Sequence, residues 1–334
     1  MNDHTTPPAA SALDAMSRRD FLVRSAKAAV TIAAAGGLGA YLVTRSGAPA
    51  AEAQVVLGDY SVPAAGRRMV VILGDDRADM VQRGLAMMGG LDKFIAAGDR
   101  VLLKVNAAFA SPPALSATTH PNLVEAVARM CLRQGAREVI VTDNPINDPV
   151  SCFELSGIAG AARRAGAKLA VPKESFFRPT SVEGGRLIRN WPLLYKPLAD
   201  VDKLIGIAPV KDHHRSGASM AMKNWYGLLG GRRNKFHQDI HNTIKELAMM
   251  VRPTMVILDG TVTMMRNGPT GGSLDDLKAT RTMILSTDQV AADACGATLL
   301  GRALHELPFI AKAAAAGAGS ADYLSLLPPA HQLH

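Results

Sequence analysis

Short runs of aliphatic and β-branched residues alternate with longer segments of helical periodicity through most of this 334-residue chain. An apolar face at helical spacing ends at a glycine in HPNLVEAVARMCLRQG, which is typical of an amphipathic helix. Strands that alternate with helices form βαβ units, so the pattern predicts an α/β fold. We expect a mainly parallel sheet with helices on both faces, in a single large domain with an irregular excursion near 172–200. The predicted strands are 68–73, 99–105, 137–143, 167–171, 202–210, 254–260 and 281–288, and the predicted helices are 79–88, 120–135, 155–165, 216–229, 236–250 and 289–301.

The first fifty residues have the order of an export signal and are set aside from the fold. Paired arginines, Arg18 and Arg19, precede an Ala/Gly-rich apolar stretch of 28–43 and an A-x-A site at 51–53. This resembles a twin-arginine signal, so we expect a periplasmic protein. The alternative is a retained anchor, although the apolar stretch is short for a membrane span and we expect none after cleavage. The expected organisation is a signal peptide at 1–53, a linker at 54–66, the α/β domain at 67–320 and a C-terminal tail at 321–334.

Composition narrows the classes of partner. The formal net charge is +8, and aromatic residues make up only 4% of the chain. Few aromatic residues leave little for stacking nucleic-acid bases, so we expect no nucleic-acid partner. The positive charge instead favours small anions or an acidic protein partner.

The three cysteines are widely spaced and form no C-x-x-C motif. We therefore expect no cysteine-ligated iron–sulfur cluster and no zinc ribbon. Buried free thiols are the simplest reading of Cys131, Cys152 and Cys295, with a disulfide between the first two as the alternative.

Polar side chains recur at or just beyond the carboxyl ends of the predicted strands. In open parallel sheets ligands bind outside these ends, so the placement predicts a site at one edge of the sheet. Aspartates at strand ends also cap helices or form turns, which is the expected role of Asp288 and an equal alternative for Asp143 and Asp259. A lysine inside VLLKV has neither role, which favours Lys104 as a site residue. The full set is Lys104 and Asn106, then Asp143 and Asn144, then Lys211, His213 and His214, then Asp259, and finally Asp288.

Two further patterns each support two readings. The turn GPTGG at 268–272 is either an anion cradle of converging backbone N–H groups or a plain loop. His237 and His241 are four residues apart, so on one helix they share a face and either hold a metal or form a surface pair. His120 begins a predicted helix, where the positive helix terminus favours a neutral imidazole suited to a ligand role.

Taken together, these ordered motifs resemble the family known as domain of unknown function 362. The matching pieces are Lys104-Val105-Asn106, Thr119-His120-Pro121, Asp143, Lys211-Asp212-His213, Gly217-Ala218-Ser219, Lys223-Asn224, Gly227, His237, Asp259-Gly260, Gly268-Pro269-Thr270-Gly271-Gly272, and Asp288 with Asp293. The resemblance spans about residues 69–300 and implies the fold and the site rather than a reaction. Val105 departs from the proline of the family pattern. The ferredoxin-like cysteine cassette of many relatives is absent, so their iron–sulfur role does not carry over.

The leading functional hypothesis is an exported enzyme that acts on a small anionic substrate or cofactor, with a divalent metal as an optional aid. Its expected catalytic residues are His213, Lys223 and Asp143. The expected anion-binding residues are Lys104, Asn106, His120, Lys211, Asn224, Gly268, Gly271 and Gly272. The expected metal ligands are His237, His241 and Asp259. The alternative is a non-catalytic binding, delivery or accessory protein with a periplasmic redox partner.

Overall fold

A computed structural model describes residues 53–328, together with three isolated helical positions, Val23, Lys27 and Val30. The chain divides into two compact units, residues 1–52 and 53–334. The predicted signal peptide therefore lies almost entirely outside the described residues. Within the described part, no helix has the length and apolar character required to cross a membrane.

Residues 53–328 form ten strands and eight α-helices, joined by short 3₁₀ turns and loops. The strands are β1 Met69–Leu73, β2 Arg100–Lys104, β3 Glu138–Thr142, β4 Lys168–Ala170, β5 Phe177–Thr180, β6 Trp191–Leu194, β7 Lys203–His213, β8 Gly217–Ser219, β9 Met255–Met264 and β10 Leu277–Ser286. The α-helices are α1 Arg77–Met87, α2 Pro121–Arg133, α3 Pro149–Leu155, α4 Ile158–Ala165, α5 Ala221–Asn224, α6 Ile240–Met250, α7 Gln289–Leu299 and α8 Pro308–Ala315.

The main sheet has the strand order β1-β10-β9-β7-β2-β3-β4, and β8 pairs with β7 outside this path. The strands from β9 to β4 are parallel to their neighbours in this order. β10 is antiparallel to both β9 and β1, and β8 is antiparallel to β7. The predicted α/β fold with a mainly parallel sheet is confirmed.

Helices cover both faces of the sheet, because its central strands are apolar on both sides. Leu204 of β7 and Val256 of β9 pack into the core beneath α5–α8, whereas the next residues, Ile205 and Ile257, pack into the core beneath α1–α4. This alternation buries nearly continuous apolar strands, as expected for a covered parallel sheet.

Three predicted elements differ from the structure, and one of them, the helix over 236–250, begins only at Ile240. β7 continues to His213 and returns as β8, so the predicted helix over 216–229 is reduced to α5 and a following 3₁₀ turn, Trp225–Leu228. The third difference follows from strand direction. Because β10 runs antiparallel to β9, its carboxyl end lies at the opposite edge of the sheet from those of β7 and β9. Asp288, just beyond β10, is therefore separated from the other predicted rim residues and caps α7, as its capping reading predicted.

The segments predicted as linker and tail pack against the domain. The Val55 N–H donates to the Pro179 carbonyl at 2.9 Å, and Tyr60 is buried. Leu327 is also buried against the core. The predicted excursion at 172–200 contains the β5–β6 hairpin, and all three cysteines are buried free thiols.

One buried carboxylate holds the loop that precedes β6. Glu246 of α6 is 1% exposed, and its two oxygens accept the N–H groups of Arg186, Leu187 and Ile188 at 2.6, 3.0 and 2.8 Å. A carboxylate that accepts three backbone N–H groups satisfies donors that the hairpin would otherwise leave unpaired.

We predict that Glu246→Gln lowers the free energy of unfolding by about 2–4 kcal/mol, because an amide has one acceptor oxygen and turns N–H groups toward backbone donors. Urea denaturation measures this change. The matched control is Glu154→Gln, which removes a surface carboxylate paired with Arg163 at 3.0 Å. It should cost far less, because solvent screens an exposed pair. Equal costs for the two variants would contradict the role assigned to Glu246.

Candidate functional site

The parallel strands β2, β3 and β7 deliver their carboxyl ends to one edge of the sheet, where a pocket opens. The pocket has a volume of about 890 Å³, within the usual range for small-molecule sites. Its walls come from residues after β2 and β3, the end of β7, the end of β8, the α5 segment, and the loops near 233–238 and 267–270. The predicted residues Asn106, Asp143, Lys211, His213, Lys223, Asn224 and Gly268 all lie on this lining.

A buried ion pair forms the base of this edge. Lys104 Nζ lies 2.7 Å from Asp143 Oδ1 and also donates to the Val105 carbonyl at 2.6 Å and to Asn224 Oδ1 at 3.1 Å. Asp143 in turn accepts the Ala107 N–H at 2.6 Å. Lys104 is fully buried and is absent from the pocket lining. Lys104 therefore holds the framework behind the pocket. The sequence had predicted instead that it binds an anion directly.

Gly227 allows the chain to pass close to this pair. A Cβ atom at Gly227 would lie 1.9 Å from Asp143 Oδ1 and 2.8 Å from Lys104 Nζ. The Gly227 carbonyl accepts the Asn144 N–H at 3.0 Å, which binds this segment to the end of β3. A side chain here would displace the ion pair, so glycine is required by the close approach.

The pocket lining is strongly unbalanced in charge. Among the described residues that line it, Asp143 is the one carboxylate, and its charge is already matched by Lys104. The cations on the lining are Lys211, Arg215, Lys223, Arg233 and Lys235. A concave surface with this excess of positive charge concentrates anions.

Arg233 is committed to the backbone. Its Nη1 donates to the Leu229 carbonyl at 2.9 Å, and its Nη2 donates to the carbonyls of Asn144 and Pro145 at 2.6 and 2.9 Å. The guanidinium thus ties the loop after β3 to the segment after α5. It contributes charge to the pocket while its donors are largely occupied.

Two of the three N–H donors of the Lys211 ammonium are also bound to protein acceptors. Its ammonium donates to the Ala117 carbonyl and more weakly to Asn106 Oδ1 at 3.4 Å, and its side chain is 1% exposed. Burial, followed by the positive charge of Lys223, lowers the pKa of Lys211 to about 7. Its ammonium is therefore easily deprotonated at neutral pH.

Lys223 has no hydrogen-bond acceptor among the described residues, although it is only 9% exposed. Its Nζ lies 4.9 Å from the centre of the Tyr226 ring, a cation–π distance. Burial, followed by the positive charge of Arg233, lowers the pKa of Lys223 to about 7. A buried ammonium with no anionic or carbonyl partner is costly, so this group is poised either to meet an anion or to lose its proton.

Three imidazole rings stack along one wall. The His213 ring lies parallel to His214 at 5.0 Å and to His237 at 5.7 Å between ring centres. Carbonyl partners fix the outer rings: His214 Nδ1 donates to the Gly268 carbonyl at 3.2 Å, and His237 Nδ1 donates to the Asn234 carbonyl at 3.2 Å. In their neutral forms both rings therefore carry a lone pair on Nε2.

His213 has the opposite tautomer. Its Nδ1 accepts the N–H groups of Arg215 and Ser216 at 3.2 and 3.3 Å, so its Nε2 carries the proton. Burial, followed by the positive charge of Lys223, lowers the pKa of His213 to about 2. The ring is thus a fixed neutral hydrogen-bond donor at physiological pH. This corrects the expectation that His213 exchanges protons near neutrality.

The glycine-rich turn is not arranged as an anion cradle. The Gly268 N–H donates to Asp212 Oδ2 at 3.1 Å, and the Gly271 N–H donates to the Asn267 carbonyl at 2.9 Å. Gly268 lines the pocket, whereas Gly271 and Gly272 do not. The turn therefore shapes the pocket mouth while two of its three glycine N–H groups are used internally.

The predicted metal set is not assembled. The described residues contain no cluster of three or more His, Cys, Asp or Glu side chains suited to a metal ion. Asp239, between the two histidines, has φ −135° and ψ 61°, so the helix that would place His237 and His241 on one face is interrupted. His241 stacks on Phe309 instead. Asp259 lies within the longer β9 and accepts from Arg77 Nε at 2.6 Å.

His120 also lies outside the pocket. It caps α2, with Nδ1 accepting the Asn122 N–H at 3.2 Å. Burial, followed by the positive charge of Arg77, lowers the pKa of His120 to about 4. The neutral imidazole matches the expectation for a helix start, but its lone pair is occupied by the helix rather than offered to a ligand.

Sequence reasoning missed Tyr226, Arg215, Arg233 and Lys235 on the pocket lining. Three of these belong to two basic stretches, HHRS and GRRNK, that were visible in the sequence. They lie in loops and after a short helix, where no strand end marked them.

Comparison with known proteins finds a family model and one relative that match this chain. The model of the family described as domain of unknown function (DUF362) matches residues 101–298. The thylakoid-associated protein sll1697 of Synechocystis sp. is 27% identical over 205 residues, which are 56% of this chain and 60% of that protein.

Two solved structures were also matched. The lactate racemase apoprotein from Thermoanaerobacterium thermosaccharolyticum has a TM-score of 0.39 and 11% identity, with 73% of this chain and 58% of that chain covered. A Thermotoga maritima protein has a TM-score of 0.37 and 13% identity, with coverage of 69% and 60%. This chain thus spans less than two thirds of the length of each of these proteins.

We predict that Gly227→Ala destabilises the protein by about 3 kcal/mol, the upper range for overpacking, because the new methyl group displaces Asp143 from Lys104. Thermal and urea unfolding measure the loss. Gly272→Ala is the matched control, since a Cβ there meets no atom within 4 Å. A Gly227→Ala protein as stable as the control would contradict the close packing described for this pair.

Proposed function

This chain belongs to the DUF362 family, and we propose that its pocket binds a small organic anion on which the protein acts as an enzyme. The main support for an anion site is the charge imbalance of the described lining. It contains five cationic side chains and one carboxylate, which is already paired with Lys104. An anionic substrate or cofactor would supply the missing negative charge. Export through the twin-arginine route stays a prediction from the sequence.

The available donors suit a carboxylate or phosphate. Within residues 53–328 no acceptor binds the Lys223 ammonium, so its three N–H donors can meet a ligand. Lys211 retains the third of its N–H donors after binding Ala117 and Asn106. His213 adds a neutral Nε2–H donor whose orientation is fixed by two backbone N–H groups. Point charges with an oriented neutral donor are a common arrangement around oxyanions.

Groups that move protons line the same pocket, which favours an enzyme over a passive binder. Lys211 and Lys223 both have pKa values of about 7, so each changes charge in the physiological range. His237 offers an Nε2 lone pair once its Nδ1–H is held by Asn234. Acid–base groups are most effective when their pKa lies near the working pH. These groups support chemistry by proton transfer without a metal ligand set.

The proposal predicts anion binding that weakens as pH rises. Below pH 7 both buried lysines are cationic, and above it both lose their protons, so anion binding must then return protons to the lysines. Sulfate stays a dianion from pH 6 to 8.5, which makes it a clean probe. We expect its affinity to fall at least about tenfold over this range, measured by isothermal titration calorimetry.

Lys223→Met should abolish most of this binding, because it removes a cation without removing any hydrogen bond inside the protein. Lys93→Met is the matched control, since Lys93 is exposed and lies away from the pocket. It should leave the affinity unchanged. Binding that is independent of pH, or equally reduced by both substitutions, would overturn the proposed anion site.

A further inference from the structure

Three lysines surround the end of β2 and β7, and their hydrogen bonding differs sharply. Lys104 Nζ has three acceptors at 2.6–3.1 Å, and Lys211 Nζ has two. Lys223 has none among the described residues. Lys104 and Lys211 therefore bind groups of the protein itself, whereas the amine of Lys223 is available to react.

The backbone that carries Lys223 is held rigidly. Asp293 of α7 accepts the N–H groups of Ala221 and Met222 at 2.7 and 3.1 Å, which fixes the start of α5. The next residue, Asn224, donates to the Lys104 carbonyl at 3.1 Å and accepts from Lys104 Nζ. With both sides of Lys223 anchored, its side chain is directed onto the pocket, while none of the residues that the structure describes accepts a hydrogen bond from its amine. Rigid presentation of a reactive group is what catalysis requires.

The surroundings favour the neutral amine. Lys223 is buried beside the Tyr226 ring and the cationic Arg233. Its pKa of about 7 leaves a large neutral fraction at physiological pH. A lysine desolvated or placed next to another cation is the arrangement by which proteins activate an amine toward carbonyl compounds.

We propose that Lys223 forms an imine with a carbonyl carbon of the bound anion, so that the ligand class is a small carbonyl compound bearing a carboxylate or phosphate group. This inference rests on the proposed anion site. It adds a covalent step that anion binding alone does not require.

Imine formation conserves atoms and electrons with only the ligand and the side chains of the pocket. The neutral Nζ attacks the carbonyl carbon and forms the C–N bond, and the carbonyl C–O bond then breaks. Both Nζ protons leave with that oxygen as water, which gives the C=N bond without any oxidant or reductant. His213 Nε2–H can donate a hydrogen bond to the carbonyl oxygen, and the His237 Nε2 lone pair can carry a proton from nitrogen to oxygen. The anionic group of the ligand would face the remaining cations of the lining.

Reductive trapping tests the proposal directly. Glyoxylate, an aldehyde with one carboxylate, is incubated with the full chain at pH 7 in the presence of cyanoborohydride, and labelled lysines are located by peptide mass spectrometry. A pKa near 7 in place of about 10.4 gives a neutral fraction more than a hundredfold larger than that of exposed lysines. Lys223 should therefore be labelled at least about tenfold faster than any surface lysine, and sulfate should protect it. Acetaldehyde, which lacks the carboxylate, should label it more slowly.

Lys223→Arg separates this inference from the anion site. The arginine keeps the positive charge but forms no imine, so sulfate binding should persist while the fast label disappears. If sulfate binds the unaltered protein but Lys223 is labelled no faster than surface lysines, the imine is overturned and the anion site stands. If sulfate does not bind and Lys223 is not labelled, both fail. Mapping of the unaltered protein with and without sulfate decides the matter even if the arginine variant does not fold.

Discussion

The buried pair between Lys104 and Asp143 is the interaction on which the site depends. It joins the ends of β2 and β3, and through Asn224 it fixes the segment that carries Lys223. Removing one member of a buried pair typically costs about 3–5 kcal/mol, because the other charge is left without compensation. Within this pair Lys104 also neutralises the negative charge that Asp143 would otherwise present to the pocket. The cations on the lining are then left without a counter-charge from the described residues that line the pocket.

Much of the fold could be predicted from the sequence, because apolar runs and glycine stops record local structure. The strands around Leu103, Val141 and Ile257 and the helix over 121–133 follow directly from periodicity. The direction of a strand does not. β10 has the same kind of apolar sequence as the parallel strands of the sheet, yet it runs antiparallel to both of its neighbours and carries Asp288 to the other edge. Nothing local to RTMILSTD distinguishes the two outcomes.

The position of the candidate site could be predicted from the sequence, but the role of each residue in it could not. Strand ends correctly brought Asp143, Lys211 and His213 to one pocket. Their chemistry depends on contacts that the end of a strand does not specify. Asp143 pairs with Lys104, 39 residues away in the chain. The tautomer of His213 depends on how the turn into β8 aims two N–H groups. The predicted metal site required His237 and His241 to share one face of a continuous helix. The helix is broken at Asp239, so the two side chains do not share a face. Spacing in the sequence cannot reveal such a break.

The chemistry proposed for the pocket depends on the Lys223 amine, which is buried without a hydrogen-bond acceptor among the described residues and should therefore titrate near neutrality. Carbon-13 NMR of the lysine side chains, recorded as a pH titration without added anions, measures this directly. The resonance missing in Lys223→Met should titrate near pH 7, whereas surface lysines titrate near about 10.4. A Lys223 signal that stays fully charged up to pH 10 would show that the pocket supplies a counter-charge, and the account would be wrong.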